Sequence, residues 1–201
     1  MDPNDALCDR LAKDLDGAFP ALVASHAGRL YTIAYRYLGV PSDAEEVAQD
    51  ALVRAHAALG TYDVDRIRAL RLKSWLATIT VNLARNRRRR VSDRRPAASL
   101  EPLVEAGLEP RAPAMAGPVE LAERRDARRR LAEGLLRLTP GVREAIVLRH
   151  VDGLSVAETA SALGRPEGTI KAQVHRGLAE LRVLLAPDFL DHMTSSKELT
   201  A

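Results

Sequence analysis

Residues 153–185 read GLSVAETASALGRPEGTIKAQVHRGLAELRVLL, and this stretch decides the fold. Ser155 followed by Glu158 is a capping box, in which a hydroxyl and a carboxylate satisfy the free N–H groups of a helix start. The short helix it opens turns Ala157, Ala160 and Leu163 to one side and stops at Gly164. A longer helix runs from about Glu167 to Leu185, with Ile170, Val174, Leu178, Leu181 and Leu185 on its apolar stripe. This pairing predicts a helix-turn-helix, and the small Ala160 suits its close crossing. His175 and Arg176 project away from the stripe, Thr169 sits near the N-terminus, and Lys171 and Gln173 flank it. Those side chains offer donors and acceptors to base edges and cations to phosphates. An ordinary antiparallel helix pair with a solvated polar face accounts for the same pattern almost as well.

Upstream, residues 119–138 read as a charged helix, and Thr139-Pro140 starts another to about His150, with a capping hydroxyl before a first-turn proline. Residues 91–118 lose all periodicity and carry Pro96, Pro102, Pro110, Pro113 and Pro118, so they read as an extended, flexible linker. Further upstream, residues 18–38 form one helix, after a shorter one near residues 7–15. Ser42 and Glu45 make a second capping box, opening a helix with Ala44, Val47, Ala48, Ala51, Leu52, Ala55 and Leu59 inward and Gly60 at its end. Residues 61–73 read as an irregular connection. A last helix buries Trp75, Leu76, Ile79 and Leu83 and runs into Arg87-Arg88-Arg89-Arg90. The expected fold is all-α, with two small helical domains joined by a flexible Pro-rich linker: residues 1–90, linker 91–118, residues 119–186 and a short tail, 187–201.

Composition agrees. Aromatics are only 3% of the 201 residues, which argues against sheets. The single cysteine, Cys8, excludes an intramolecular disulfide, and no Cys/His cluster has metal-ligand spacing. No apolar run reaches membrane-spanning length and the N-terminus lacks a signal-peptide pattern, so a cytoplasmic protein without membrane insertion is expected. No catalytic constellation or phosphate loop is present, and neither an enzyme nor a cofactor is expected.

Charge is segregated. Residues 1–65 carry eleven acids and five bases; residues 66–95 carry eleven bases and one acid. That pattern predicts one basic partner and one polyanion. Asp43, Glu46 and Asp50, with Gln49 beside them, share one side of the 42–59 helix as a candidate docking face. The first two also suit a helix N-terminus; Asp50, two turns in, does not. Arg85, Arg87, Arg88 and Arg89 concentrate more charge at a helix end than a helix dipole uses, which points to phosphates. Arg66, Arg68, Arg71 and Lys73 in the irregular connection, and Asn82 on the helix, extend that surface. Tyr62 and Trp75 beside them offer a weaker hint of a held, unstacked base, although core packing suits Trp75 better.

At these residues the chain resembles the extracytoplasmic-function (ECF) sigma factors of bacterial RNA polymerase. The run Asp43-Ala44-Glu45-Glu46-Val47-Ala48-Gln49-Asp50, then Trp75-Leu76, Ile79, Asn82 and the arginines, is similar to their region 2. Leu138-Thr139-Pro140 with Arg143, Gly153-Leu154-Ser155-Val156-Ala157-Glu158, Leu163-Gly164, Glu167 to Lys171 and Leu181-Arg182 are similar to their region 4. The resemblance implies core RNA polymerase and promoter DNA as partners, with an anti-sigma factor as a further one common in the family. It implies core binding by Asp43, Glu46, Gln49 and Asp50. It implies −10 recognition and melting by Arg66, Arg68, Arg71, Lys73, Asn82, Arg85, Arg87, Arg88 and Arg89. The −35 element would be read by Lys171, Gln173, His175 and Arg176, with Thr169 on a phosphate. Ala172 and Gln173 depart from the serine and arginine frequent there, which leaves the −35 sequence open. Two other readings compete: a stand-alone helix-turn-helix regulator, and a helical protein that binds only other proteins. Neither accounts for the acidic helix and the arginine concentration together.

Overall fold

The computed structural model describes residues 3–94 and 118–186. Expectations for the linker between them and for the tail at 187–201 lie outside the described residues. The first lobe holds α1 (Pro3–Lys13), α2 (Leu15–Leu38), α3 (Pro41–Leu59), α4 (Val64–Arg68) and α5 (Leu72–Arg94). The second holds α6 (Pro118–Arg137), α7 (Pro140–Ile146), α8 (Val156–Leu163) and α9 (Glu167–Leu184). Among the described residues there is no strand.

Several local readings are corrected. The helix after Gly39 begins at Pro41, not at a Ser42 box: Val40 is its N-cap without a side-chain bond, and the proline at the first position supplies the pre-set φ. Thr139 likewise caps α7 by position only, because its hydroxyl makes no cap bond. The irregular connection contains α4, a five-residue helix capped by Asp63, whose carboxylate accepts from Arg66 N–H at 2.8 Å. A single turn is too short to show periodicity. The last helix of the lobe, α5, begins at Leu72 and continues past Arg90 to Arg94.

The 153–185 reading holds at its caps. Ser155 and Glu158 form the reciprocal box at 3.1 and 2.8 Å, and Gly164 ends α8 with φ of +63°. Ala160, Leu163, Ile170 and Leu181 are buried as read, and one member of each stripe is exposed instead. Ala157 is exposed, and Leu178 is 40% exposed, while Gly177 turns inward. A Cβ on Gly177 would stand 2.6 Å from Val142 Cγ1 and 2.8 Å from Ile146 Cγ1. A close crossing between α7 and α9 therefore sits at Gly177, while Ala160 is buried on α8.

Two apolar cores result. The first is built on Leu11, Leu22, Leu30, Leu59, Leu72 and Leu76. The second, built on Leu135, Leu138, Leu148, Leu154, Ile170 and Leu181, also takes in Ile33 of α2 with Ala77 and Val81 of α5. The two lobes are thus packed face to face. Burying Ile33 and Val81 alone contributes about 3–6 kcal/mol before ordering entropy is charged against it.

Candidate nucleic-acid interface

On the second lobe, α9 carries the residues expected to read DNA. Thr169, Lys171, Ala172, His175 and Arg176 are exposed along one side of α9, opposite the buried Ile170, Gly177 and Leu181. Gln173 is half-buried, and its side-chain oxygen accepts from Arg165 Nη1 at 3.2 Å. Lys171 lies 4.0 Å from Glu167, one turn earlier, an exposed pair that leaves the ammonium available. Four of the five residues expected to read DNA are therefore brought to one open face, with Gln173 at its margin.

The first lobe spreads its candidates over three places. Arg66 lies over the Tyr62 ring, 3.7 Å from its centroid, and the Tyr62 ring is 6.1 Å from that of Trp75. Tyr62 and Trp75 are both half-buried, so the core holds one part of each ring and leaves the rest accessible. This cation–aromatic nook has the ingredients to stack one unpaired base. Arg71 is exposed, whereas Arg68 pairs with Asp9 of α1 at 3.1 Å. Lys73 is half-buried beside the second lobe, its carbonyl accepting from Arg29 Nη2 at 2.8 Å.

On α5, Asn82 and Arg89 are exposed, and Arg85, Arg87 and Arg88 are half-buried. Arg87 turns toward α3, where it donates to Asp43 at 2.6 Å and Glu46 at 2.6 Å. Two sets of residues assigned to different partners thus neutralise each other in part. Farther along α3, Gln49 and Asp50 stay exposed, and Val53, one turn on, is 68% exposed. Sequence reasoning missed Val53; a β-branched apolar residue outside the inward stripe was the signal.

Arg85 is occupied as well. Its fork donates to both carboxylate oxygens of Glu144, at 2.7 Å each, and the same carboxylate accepts from Arg165 at 2.5 Å and the Tyr37 hydroxyl at 3.2 Å. Burial alone would raise the Glu144 carboxyl, but the bonds and charges of Arg85 and Arg165 outweigh it and hold its pKa below the ordinary value. Beside it, buried Arg143 donates to the carbonyls of Leu135, Leu136 and Leu138 at the end of α6, and to Tyr37 O at the end of α2. Burial, with Arg88 nearby, pushes the Arg143 pKa down to about 10, so the guanidinium stays charged at neutral pH. A third link pairs Arg29 of α2 with the fully buried Asp152. A π turn at Val147–Val151 delivers Asp152: the Asp152 N–H reaches back to Val147 O at 2.9 Å. Sequence reasoning missed Glu144 and Asp152. Glu144 was legible in principle, since residues 142–148, VREAIVL, leave a charged pair no solvated face.

Comparison with known proteins decides what carries this surface. The Sigma-70 region 2 family matches residues 22–94, and the Sigma-70, region 4 family matches residues 128–181. The chain is 30% identical over 170 residues to the ECF RNA polymerase sigma factor SigW of Bacillus subtilis, covering 82% of this chain and 87% of that one. The chain belongs to the ECF sigma factors. It is also 35% identical to the RNA polymerase sigma factor CnrH of Cupriavidus metallidurans, over 94% of this chain and 98% of that one. Two solved structures are similar. CnrH in complex with the cytosolic domain of CnrY superposes with a TM-score of 0.62 at 29% identity, covering 92% of this chain and 97% of that one. The sigma factor RpoE with the anti-sigma factor NepR from Bartonella quintana gives 0.64 at 26%, covering 85% and 98%. As a sigma factor the chain is a transcription initiation factor that directs RNA polymerase to promoters. Among the described residues, no helix is long and apolar enough to cross a membrane, and no cluster of His, Cys, Asp or Glu could hold a metal ion.

Proposed function

We propose that this sigma factor divides its work among three surfaces. The exposed side of α3, Glu46, Gln49, Asp50 and Val53, docks on a basic helical element of core polymerase. The nook of Arg66, Tyr62 and Trp75, with Arg71, Lys73 and the face of α5 carrying Asn82, Arg85, Arg88 and Arg89, takes the −10 element as it opens. The exposed face of α9, Thr169, Lys171, His175 and Arg176 with Gln173, reads the −35 duplex. The observation that carries the reading is the display of α9. Its polar residues share one open face of a helix whose other side is locked on α7 at Gly177.

Opening needs no covalent chemistry from the chain. A surface that binds an unpaired base better than the duplex shifts the melting equilibrium by that difference in affinity. Its work is cytoplasmic in this reading, where core polymerase meets DNA. An anti-sigma partner belongs to the same reading, because both similar solved structures named above are of a sigma factor held by another protein, NepR being an anti-sigma factor by name.

Run-off transcription with purified protein, core polymerase and a genomic promoter library tests it. Specific starts should require both components. Asp50→Lys should weaken core binding, Arg88→Ala with Arg89→Ala should weaken opening and flatten its salt dependence, and His175→Ala with Arg176→Ala should change promoter choice. Duplex binding without any start would return the stand-alone regulator.

A further inference from the structure

Every acceptor site of Glu144 is engaged inside the molecule. Its Oε1 accepts from Arg85 Nε and the Tyr37 hydroxyl, and its Oε2 accepts from Arg85 Nη2 and Arg165 Nη2. A carboxylate offers about four such sites, so this one has none left for a further cation. Yet Glu144 stands in the lining of a cleft of about 630 Å³ together with Arg85, Arg88, Arg89, Asn82 and Asn86. Two of the three lining arginines, Arg88 and Arg89, meet no carboxylate among the described residues.

The α5 wall of the cleft therefore offers donors. Arg88 Nη1 is buried and has no hydrogen-bond partner. The side-chain oxygens of Asn82 and Asn86 already accept from Arg85 Nη1 and Arg89 Nη2, which leaves their amide N–H groups to give. A buried guanidinium donor without an acceptor costs free energy that an acceptor from outside the chain recovers. We propose that this cleft binds a small anion carrying at least two linked phosphate groups, held by Arg88, Arg89 and the amides of Asn82 and Asn86.

The chemistry matches on both sides. A phosphate oxygen is an acceptor with charge, and a guanidinium fork binds two such oxygens at once. Asn82, Asn86 and Arg89 follow one another at helical spacing along about 10 Å of α5, which suits two linked phosphates better than one. The volume lies within the range of about 300–1,000 Å³ usual for small-molecule sites, so a nucleoside fits beside the phosphates. A nucleoside diphosphate and inorganic pyrophosphate share this chemistry and are separated below. The site shares Asn82, Arg88 and Arg89 with the surface proposed for the −10 strand, and its ligand would compete with that strand. Its own basis is the donor-lined cleft, whichever surface takes the DNA.

Calorimetric titration of the full chain in magnesium-free buffer, with orthophosphate, pyrophosphate, ADP and GDP in turn, tests the site. Pyrophosphate should bind one to one and about tenfold or more tighter than orthophosphate, because its second group reaches a second arginine. Tighter binding of ADP or GDP than of pyrophosphate assigns the site to a nucleotide; equal or weaker binding assigns it to the inorganic anion. Arg88→Gln keeps a donor, removes the charge and should weaken pyrophosphate about tenfold or more. Arg54→Gln removes the same charge at an exposed position of α3 outside the cleft, and should change affinity by less than about twofold. Should Arg88→Gln lose helix content by circular dichroism, Arg89→Gln, at an exposed position, repeats the test. Three results overturn the proposal: no saturable binding, orthophosphate as tight as pyrophosphate, or equal losses in the Arg54 and cleft variants. The last would mean a general attraction to a basic surface. The titration contains neither polymerase nor DNA, so its failure leaves run-off transcription to judge the assigned function separately.

Discussion

Replacing Arg143 with Met keeps an unbranched stem of similar length in the interface and removes every donor, so it isolates the guanidinium. Four carbonyls lose a partner: Leu135, Leu136 and Leu138 of the second lobe and Tyr37 of the first. Leu135 O also accepts from Leu138 N–H at 3.2 Å and is compensated in part. The other three lie in or just beyond the last turns of α6 and α2, where the helix has no further N–H to offer. A buried acceptor stripped of its partner costs about 1–3 kcal/mol, so three of them put the loss at ~3–5 kcal/mol, allowing for some water entry. Against a typical stability of 5–15 kcal/mol, that loss is large. Urea unfolding followed by circular dichroism measures it as a lower midpoint at unchanged slope. Arg143→Lys, which keeps charge but cannot fork to four acceptors, should fall between the two. A Met variant within about 0.5 kcal/mol of wild type would refute the account, because it would mean those carbonyls are satisfied without the guanidinium.

Gly177→Val should cost ~2–3 kcal/mol or more and depress duplex binding by the second lobe, since the side chain must enter space held by Val142 and Ile146; thermal unfolding and gel shift check it. Asp50→Lys should lower core-polymerase affinity without moving Tm, whereas Glu46→Lys should do both, because Glu46 also receives Arg87; pull-down and calorimetry separate the two. Acid should weaken the fold through His26. Its ring is buried with neither nitrogen bonded, and burial first, then the charges of Arg29 and Lys73 against the opposing Asp152, lower its pKa. The folded state then resists a proton that the unfolded chain accepts, so stability is full above pH ~6.5 and falls with pH down to the depressed folded value, by at most about 1.4 kcal/mol per pH unit. His26→Leu should flatten that part of the urea-midpoint profile, and an unchanged slope would exclude His26 as its source.

The helices and their stops were legible in residues because the causes are local. Ser155 and Glu158 sit three apart, as a capping box needs, and Gly164 accepts a left-handed turn without a Cβ penalty. The charge segregation was legible too, since it requires only counting, and the motif order around Trp75 and Thr169 pointed to the family. Where two local signals competed, the capping-box reading at Ser42 was the wrong one. Ser42 and Pro41 both start helices, and the proline's fixed φ prevailed over the hydroxyl.

Ile170 and Leu181 of α9 were legible as inward, but the middle of the helix needed its partner. Leu178 and Gly177 are one residue apart, and only the distance to Val142 and Ile146 decides which of them faces inward. Pairing across the chain lay further out of reach. Arg87 meets Asp43 and Glu46, Arg85 meets Glu144, and Arg29 meets Asp152 across 123 positions. Nothing in a run of arginines says which ones will find a carboxylate, because electrostatic attraction acts through space and carries no sequence register. The sequence by itself determined what each helix is and which charges it carries. The tertiary structure alone decided which of those charges remain free for DNA, because that depends on which surfaces the two apolar cores bring together.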